Sequence, residues 1–148
     1  IRTAKEAITG EKQYSMQVHN DLVEKMEKLH INPEYADRHL NVGFSGGEKK
    51  KTEILQMAVL EPKLAILDET DSGLDRDATK VVFEGVQKLK TKDNAMLIIT
   101  HYDKVLDYLE PDFVHVLMDG RIVKTGGKEI VEMIEKFGYG KIRQDLGL

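Results

Sequence analysis

The sequence predicts an α/β fold in which a partial sheet is flanked by helices and follows a helical segment. Two short, wholly apolar runs alternate with stretches of helical periodicity, which is typical of parallel strands joined by helices. A hairpin signal, Asp119-Gly120, separates two further strand-like runs near the end of the chain. We treat the 148 residues as one domain-sized unit, with a helical subdomain over 1–60 and an α/β core over 61–148.

The first sixty residues are predicted to be helical. Residues 18–29 carry apolar side chains at helical spacing, and Asn32-Pro33 ends that helix. Ser45 is followed three residues later by Glu48, the pattern of a capping box, which predicts a helix that runs to about residue 60. Pro62 then stops that helix.

Strands and helices alternate in the remainder. The apolar runs Leu64–Leu67 and Ala95–Thr100 predict two buried parallel strands, and Asp75–Lys90 between them predicts a helix. A short helix is expected near 103–109. The alternating runs Phe113–Met118 and Arg121–Lys124 predict a hairpin, and a final amphipathic helix follows, with the apolar positions Ile130, Met133, Ile134 and Phe137.

Composition excludes several classes of function. A net charge of −4 disfavours a nucleic-acid partner, and the absence of cysteine excludes disulfides and thiolate ligation of zinc or of an iron–sulphur cluster. The five histidines show no metal-binding spacing. No apolar run approaches 18 residues, and the first residues are helix-like, without an apolar signal segment. We therefore expect a cytoplasmic protein that does not insert into a membrane.

The segment Phe44-Ser45-Gly46-Gly47-Glu48 is the first that can carry chemistry. Two glycines at a helix start leave backbone amides open to a phosphate, and the helix dipole favours that negative charge. The alternative is a capped helix that merely follows a flexible turn.

Acidic residues follow the first apolar strand, and a histidine follows the second. Asp68 at the strand tip suits a hydrated magnesium ion, and Glu69 suits the orientation or deprotonation of an attacking water. If the strands are parallel, His101 lies at the same sheet edge as Glu69, where it could sense a γ-phosphate. The alternatives are two acids in a solvated turn and an ordinary surface or core histidine.

The order of these segments resembles the ABC ATPase family. In that family Ser45, Gly46, Gly47 and Glu48 would be the signature motif, Asp68 and Glu69 the end of the Walker B strand, and His101 the switch histidine. The residues after Walker B would form the D-loop, namely Ser72, Gly73, Leu74 and Asp75. The resemblance implies ATP and Mg²⁺ as cofactors and a transient, ATP-dependent dimer in which signature and D-loop act in trans.

Variant positions resemble one branch of this family more than the transport ATPases. Glu48 stands where most transport ATPases have Gln, and Thr70-Asp71 stands where they have Pro-Thr. These variants, with Leu97–Tyr102 and the hairpin Val114–Gly127, are similar to the SufC family of iron–sulphur cluster assembly ATPases. That resemblance implies SufB- and SufD-like scaffold partners, contacted mainly through the helical segment before Gly43.

The chain also departs from the family pattern. No G-x-x-x-x-G-K-[ST] sequence occurs in it, so the loop that cradles the phosphates is missing. About a hundred N-terminal residues of an ordinary domain of this kind are expected to be absent, and the chain alone is expected to be inactive. A transporter ATPase and a non-catalytic interaction remnant remain alternatives. One of Lys49, Lys50 and Lys51 is a candidate ion-pair partner of Glu69 in the resting monomer.

Overall fold

The computed structural model describes residues 1–40, 42–101 and 103–147. The chain divides into two compact units, Ile1–Val105 and Leu106–Leu148. The shift from helices to α/β structure near residue 60 lies within the first unit, and a subdomain boundary there stays a prediction. Within the described ranges, no helix is both long enough and apolar enough to span a bilayer.

Four helices form most of the first unit: α1 Arg2–Thr9, α2 Ser15–Lys28, α3 Gly46–Leu60 and α4 Arg76–Leu89. A 3₁₀ helix, Pro33–Asp37, lies between α2 and α3 in the chain. Pro33 therefore begins a helical turn as well as following the end of α2. Helix α3 contacts α1, α2 and α4 and is the centre of the packing. Apolar side chains from α2, α3 and α4 form the core, including Met26, Ile54, Val59, Val82, Phe83 and Val86.

The predicted start of α3 is confirmed. Ser45 is the N-cap, its hydroxyl oxygen accepts from the Glu48 amide at 3.3 Å, and the Glu48 carboxylate accepts from the Ser45 amide at 2.7 Å. Both halves of the capping box are therefore present. The helix ends at Leu60, its C-cap Glu61 has a left-handed φ of 48°, and Pro62 prevents its continuation.

A parallel pair of strands follows, β1 Leu64–Asp68 and β2 Ala95–Ile99, with Asp68 opposite Ile99. The parallel pairing confirms the prediction, but the prediction that both strands are buried was wrong. In β1 only Ala65 and Leu67 are buried, and the alternate residues are largely exposed, with Ile66 at 61%. Successive side chains of a strand point to opposite faces, and only one face of this pair is covered within the described residues.

The second unit consists of the hairpin β3 Val114–Met118 and β4 Arg121–Gly126 and the helix α5 Glu129–Leu146. Asp119 and Gly120 both have positive φ, 49° and 75°, as a type I′ turn requires. The predicted hairpin and final helix are thus confirmed, and the short helix near 103–109 is a 3₁₀ turn, Asp103–Asp107. Gly138 interrupts α5 with φ 70° and ψ 175°. The unit's core is small and contains Val116, Ile130 and Ile142.

Candidate functional site

The carboxyl edge of the parallel strand pair brings two predicted site residues together. Asp68 is the last residue of β1, and Glu69 follows it with a left-handed φ of 46°. The Glu69 amide donates to the Ile99 carbonyl at 2.9 Å, which ties this turn to the end of β2. His101 Nδ1 lies 3.7 Å from Glu69 Oε1, and both side chains are exposed. A carboxylate and an imidazole therefore face solvent side by side at the edge where α/β sheets bind ligands.

The predicted D-loop lines a cleft next to this edge. The cleft has a volume of about 270 Å³ and includes His101 in its lining. Two tight turns shape the loop, because the Ser72 amide donates to the Glu69 carbonyl and the Leu74 amide to the Asp71 carbonyl. Gly73 has φ 74°, a conformation that suits glycine. The remaining lining residues of the cleft are Asp71, Ser72, Gly73, Leu74, Arg76 and Thr79.

The cleft contains a buried acid that the sequence pattern did not single out as a site residue. Asp71 is 7% exposed, and its Oδ1 has no hydrogen-bond partner among the described residues. Thr70, beside it, is 2% exposed. The sequence marks this pair only as a departure from Pro-Thr. Acids after a strand suggest a solvated turn, so the burial of Asp71 was not foreseeable from its position.

The predicted signature segment lies beside the D-loop within this chain. Ser45 and Gly46 are exposed at the start of α3, and a Cβ built on Gly47 would stand 3.6 Å from Leu74 Cδ2. Among the described residues, no hydrogen bond or ion pair joins Ser45–Glu48 to Glu69 or His101. The structure thus groups Glu69 with His101 and Gly47 with Leu74.

Glu48 has a further partner that the motif does not reveal. The Tyr35 hydroxyl, on the 3₁₀ helix, donates to Glu48 Oε1. This hydrogen bond, with those from Ser45, lowers the pKa of Glu48 to about 2, and the same contact raises the pKa of Tyr35. Tyr35 precedes Glu48 by 13 residues, a separation with no periodic meaning, so no sequence signal connects them.

The lysines after the signature segment do not pair with Glu69. Lys50 Nζ lies 3.2 Å from Glu53 Oε2, three residues further along the helix. In the described part of the chain, none of Lys49, Lys50 and Lys51 is within ion-pair distance of Glu69, whose partner is His101. The candidate lysine–Glu69 pair was therefore wrong, and Lys50 pairs instead with an acid one helical turn away.

The donor set at the sheet edge fits magnesium bound with a nucleotide, and not a metal held by protein alone. Among the described residues, no three His, Cys, Asp or Glu side chains group together as a metal site. Asp68 is exposed at the strand tip and supplies hard oxygen donors. Magnesium usually keeps several waters and takes one or two carboxylates plus phosphate oxygens. Asp68 would hold such an ion, directly or through a water.

Comparison with known proteins supports the sequence resemblance. The chain is 55% identical over 125 residues to Vegetative protein 296 of Bacillus subtilis, which covers 84% of this chain and 48% of that protein. It is 57% identical over 127 residues to a probable ABC transporter ATP-binding protein of Streptococcus pyogenes serotype M3. That alignment covers 86% of this chain and 50% of the relative. The chain thus spans about half the length of the curated relatives it matches. No protein-family model matches it.

The fold matches solved cassettes. The ADP conformation of MJ1267, an ATP-binding cassette of an ABC transporter, aligns with a TM-score of 0.70 and 25% identity. The alignment covers 95% of this chain and 59% of that one. The chain has the fold of part of an ATP-binding cassette. The relative from Streptococcus pyogenes and this solved structure are both described as ATP-binding components of ABC transporters.

Proposed function

We propose that this chain supplies the Walker B, switch and signature portions of an ABC-type ATPase that hydrolyses ATP in a closed pair of subunits. The observation that carries the proposal is the placement of Glu69 and His101, 3.7 Å apart, at the carboxyl edge of two parallel strands. Asp68 ends the strand directly before Glu69. A metal-dependent phosphoryl transfer to water uses a magnesium ligand, a base for the water and a hydrogen-bond donor to the phosphate. These three side chains would supply them at one place.

Each side chain at the edge then has a defined task. Asp68 would hold magnesium through the hydration shell of the ion, and the ion would supply positive charge to the phosphates. Glu69 orients a water and accepts its proton while the water oxygen bonds to the γ-phosphorus and the bond to ADP breaks. His101 donates a hydrogen bond to a γ-phosphate oxygen, and its ring lies within ion-pair distance of the Glu69 carboxylate. Because both side chains are exposed in this chain, closure of a second subunit is needed to exclude bulk water.

The start of α3 serves the ATP of the second subunit. The first amides of α3 after the N-cap Ser45, including those of Gly46 and Gly47, have no acceptor within the helix and offer donors to a γ-phosphate. Glu48 completes the capping box that holds them. The D-loop residues Ser72, Gly73, Leu74 and Asp75 would lie at the same subunit interface. The complete site therefore forms only when two subunits close around nucleotide.

The partner we propose is a soluble scaffold of the SufB or SufD type, so that hydrolysis rearranges an iron–sulphur assembly complex. The Glu48 and Thr70-Asp71 variants support this assignment, and the lack of cysteine is consistent with it because the scaffold would supply the thiolates. A groove of about 400 Å³ on the helical segment is available for contact; Val18, Met26, Tyr35 and Phe44 contribute to its lining.

A second candidate is the ATP-binding subunit of an ABC transporter. The descriptions of two relatives favour it. A Streptococcus pyogenes protein at 57% identity is described as a probable ABC transporter ATP-binding protein. A Synechocystis protein at 58% identity is described as a probable ATP-dependent transporter. The enzyme would be the same, and only the partner would differ.

Hydrolysis is tested on the complete product of the gene that encodes this chain, called the complete protein below. Glu69→Gln should abolish Mg²⁺-dependent turnover and retain ATP binding, because the carboxylate acts on water and not on the nucleotide. His101→Ala should lower the turnover rate by a factor on the order of 10² and should retain ATP binding. Parental turnover in Glu69→Gln would remove Glu69 as the base and with it the proposed mechanism.

The partner is tested by purification of the tagged complete protein from a native lysate, with mass spectrometry of what accompanies it. We expect a soluble SufB- or SufD-like scaffold and no permease. Recovery of an integral membrane permease without such a scaffold would favour the transporter candidate.

A further inference from the structure

The 3₁₀ helix Pro33–Asp37 reaches the start of α3 through one side chain. The Tyr35 hydroxyl donates to Glu48 Oε1, while Glu48 Oε2 accepts from the Ser45 amide at 2.7 Å. The two oxygens of one carboxylate are thus each held by a donor. The N-cap residue is connected through Glu48 to a segment ten residues upstream.

The Tyr35 ring is itself held in place. It stacks on Phe44 with a centroid distance of 4.8 Å and an interplanar angle of 29°, and Phe44 is buried. The Arg38 guanidinium lies 4.7 Å from the centroid of the same ring. The 3₁₀ helix that carries Tyr35 is capped by Asn32, whose side chain accepts from the Glu34 amide. These contacts fix the direction of the hydroxyl, so it acts as a rigid donor and not as a mobile surface group.

The position of Glu48 decides the geometry of the helix start. Its carboxylate satisfies the Ser45 amide, and the Ser45 hydroxyl satisfies the Glu48 amide, so the first turn is closed by both contacts. A carboxylate without a second donor can rotate towards solvent and release the Ser45 amide. The hydroxyl of Tyr35 prevents this because a hydrogen bond to a charged acceptor is among the stronger ones.

We propose that Tyr35 is a positioning residue of the ATPase, acting through Glu48 to hold Ser45, Gly46 and Gly47 in the geometry that binds the nucleotide of the opposite subunit. This inference rests on the proposed function. Tyr35 lies outside the signature segment. Its hydroxyl in one subunit would serve the ATP site that contains Glu69 of the other subunit.

Tyr35→Phe is the informative variant because it keeps the stacked ring and removes only the hydroxyl. In the complete protein we expect turnover to fall roughly tenfold, the loss typical of one hydrogen bond to a charged group. ATP binding to the isolated subunit should be unchanged. Tyr139→Phe, at an exposed tyrosine of α5, is the matched control and should retain parental turnover. Parental turnover in Tyr35→Phe would overturn the proposal.

Mixed dimers test the direction of the effect. With a large excess of Glu69→Gln subunits, each Tyr35→Phe subunit pairs with an intact Tyr35, and its turnover should return to that of parental subunits mixed with the same excess. With a large excess of the double variant Tyr35→Phe/Glu69→Gln, turnover per parental subunit should fall roughly tenfold. The reverse pattern would show that Tyr35 acts on its own subunit's site, and equal losses in both mixtures would show a general folding defect; either result overturns the proposal.

A double-mutant cycle tests the route through Glu48. Tyr35→Phe and Glu48→Ala should be less than additive in turnover, because each breaks the same chain of contacts. Full additivity would overturn the relay. If the parental complete protein shows no Glu69-dependent hydrolysis, the proposed function and the inference are both rejected. If it hydrolyses ATP normally and Tyr35→Phe has no effect on turnover, the inference alone is rejected.

Discussion

Asp75 Oδ1 accepts a hydrogen bond from the Ala78 amide at 2.7 Å, so the last residue of the predicted D-loop is also the N-cap of α4. The Asp75 carbonyl accepts in addition from the Thr79 hydroxyl at 2.8 Å, and Thr79 is buried. The residue therefore couples the loop that lines the cleft to a helix whose inner face belongs to the core. Any role across a subunit interface is combined with this local one.

The two roles of Asp75 can be separated by substitution. Asp75→Ala removes the cap and should lower the free energy of unfolding by about 1 kcal/mol. Asp75→Asn keeps a capping oxygen and should unfold close to the parental midpoint, so a loss of turnover in Asp75→Asn would report the interface and not the fold. Denaturant titrations measure the first effect. An Asp75→Ala variant as stable as the parent would contradict the capping role.

The local elements were predictable because each has a signal within a few residues. Ser45 and Glu48 mark a helix start three residues apart, and Asp119-Gly120 mark a turn that needs two positive φ angles. The sheet edge was predictable because carboxyl ends of parallel strands meet, which places Glu69 near His101 without knowledge of any contact. The roles of these residues in hydrolysis stay predictions.

The remaining features depend on contacts between distant segments. The contact between Tyr35 and Glu48 crosses 13 residues, and Asp71 is buried although it lies in a loop of two tight turns. The burial of the strands was overestimated for a related reason. A continuous apolar run indicates strands covered on both faces, but in the described residues Ile66 and its neighbours on that face are open.

The signature segment should act in trans. Ser45→Arg places a bulky cation where the γ-phosphate of the opposite subunit would sit, while leaving Glu69 and His101 of its own subunit intact. An equal mixture of complete Ser45→Arg and complete Glu69→Gln should regain about a quarter of parental turnover, because random pairing makes half of the dimers mixed and each mixed dimer has one whole site of two.

The control for that mixture is Ser45→Thr, which keeps a capping hydroxyl. It should retain most activity alone and need no partner. Each of the two inactive variants measured separately should show no turnover. If their mixture is equally inactive, although both variants fold and dimerise, the closed pair of subunits is not the working form.

Glu48 should make the stability of the chain sensitive to acid. Its folded-state pKa of about 2 lies below the ordinary value of 4.5, chiefly because the Tyr35 hydroxyl donates to it. A lowered pKa contributes stability that is present above pH 4.5 and is lost as the pH falls towards 2. The parental free energy of unfolding should therefore decline more steeply over this window than that of Glu48→Gln.

Tyr35→Phe provides the intermediate case, because the Ser45 contacts remain. The pKa of Glu48 should rise towards its ordinary value, so the loss of stability in acid should be smaller than in the parent and should be complete at a higher pH. Denaturant titrations from pH 6 to pH 2 and carbon-13 titration of the Glu48 carboxyl measure both effects. If the free energies of unfolding of the parent and of Glu48→Gln fall in parallel with pH, the ionised form of Glu48 is not stabilised by folding.

The 148-residue chain by itself should hydrolyse ATP no faster than its own Glu69→Gln variant. The sequence contains no G-x-x-x-x-G-K-[ST] loop, and the backbone amides and lysine of such a loop normally cradle the phosphates. In the proposed mechanism Asp68, Glu69 and His101 would act on a nucleotide only when it is already held, and their exposure in this structure offers it no enclosure. Phosphate release with Mg²⁺ and millimolar ATP is the measurement, and the Glu69→Gln chain, purified identically, removes contaminating ATPases as an explanation. Turnover clearly above that control would mean that the chain binds nucleotide through groups other than a phosphate-binding loop, and the cleft lined by Asp71, Arg76 and His101 would be the first place to look for them.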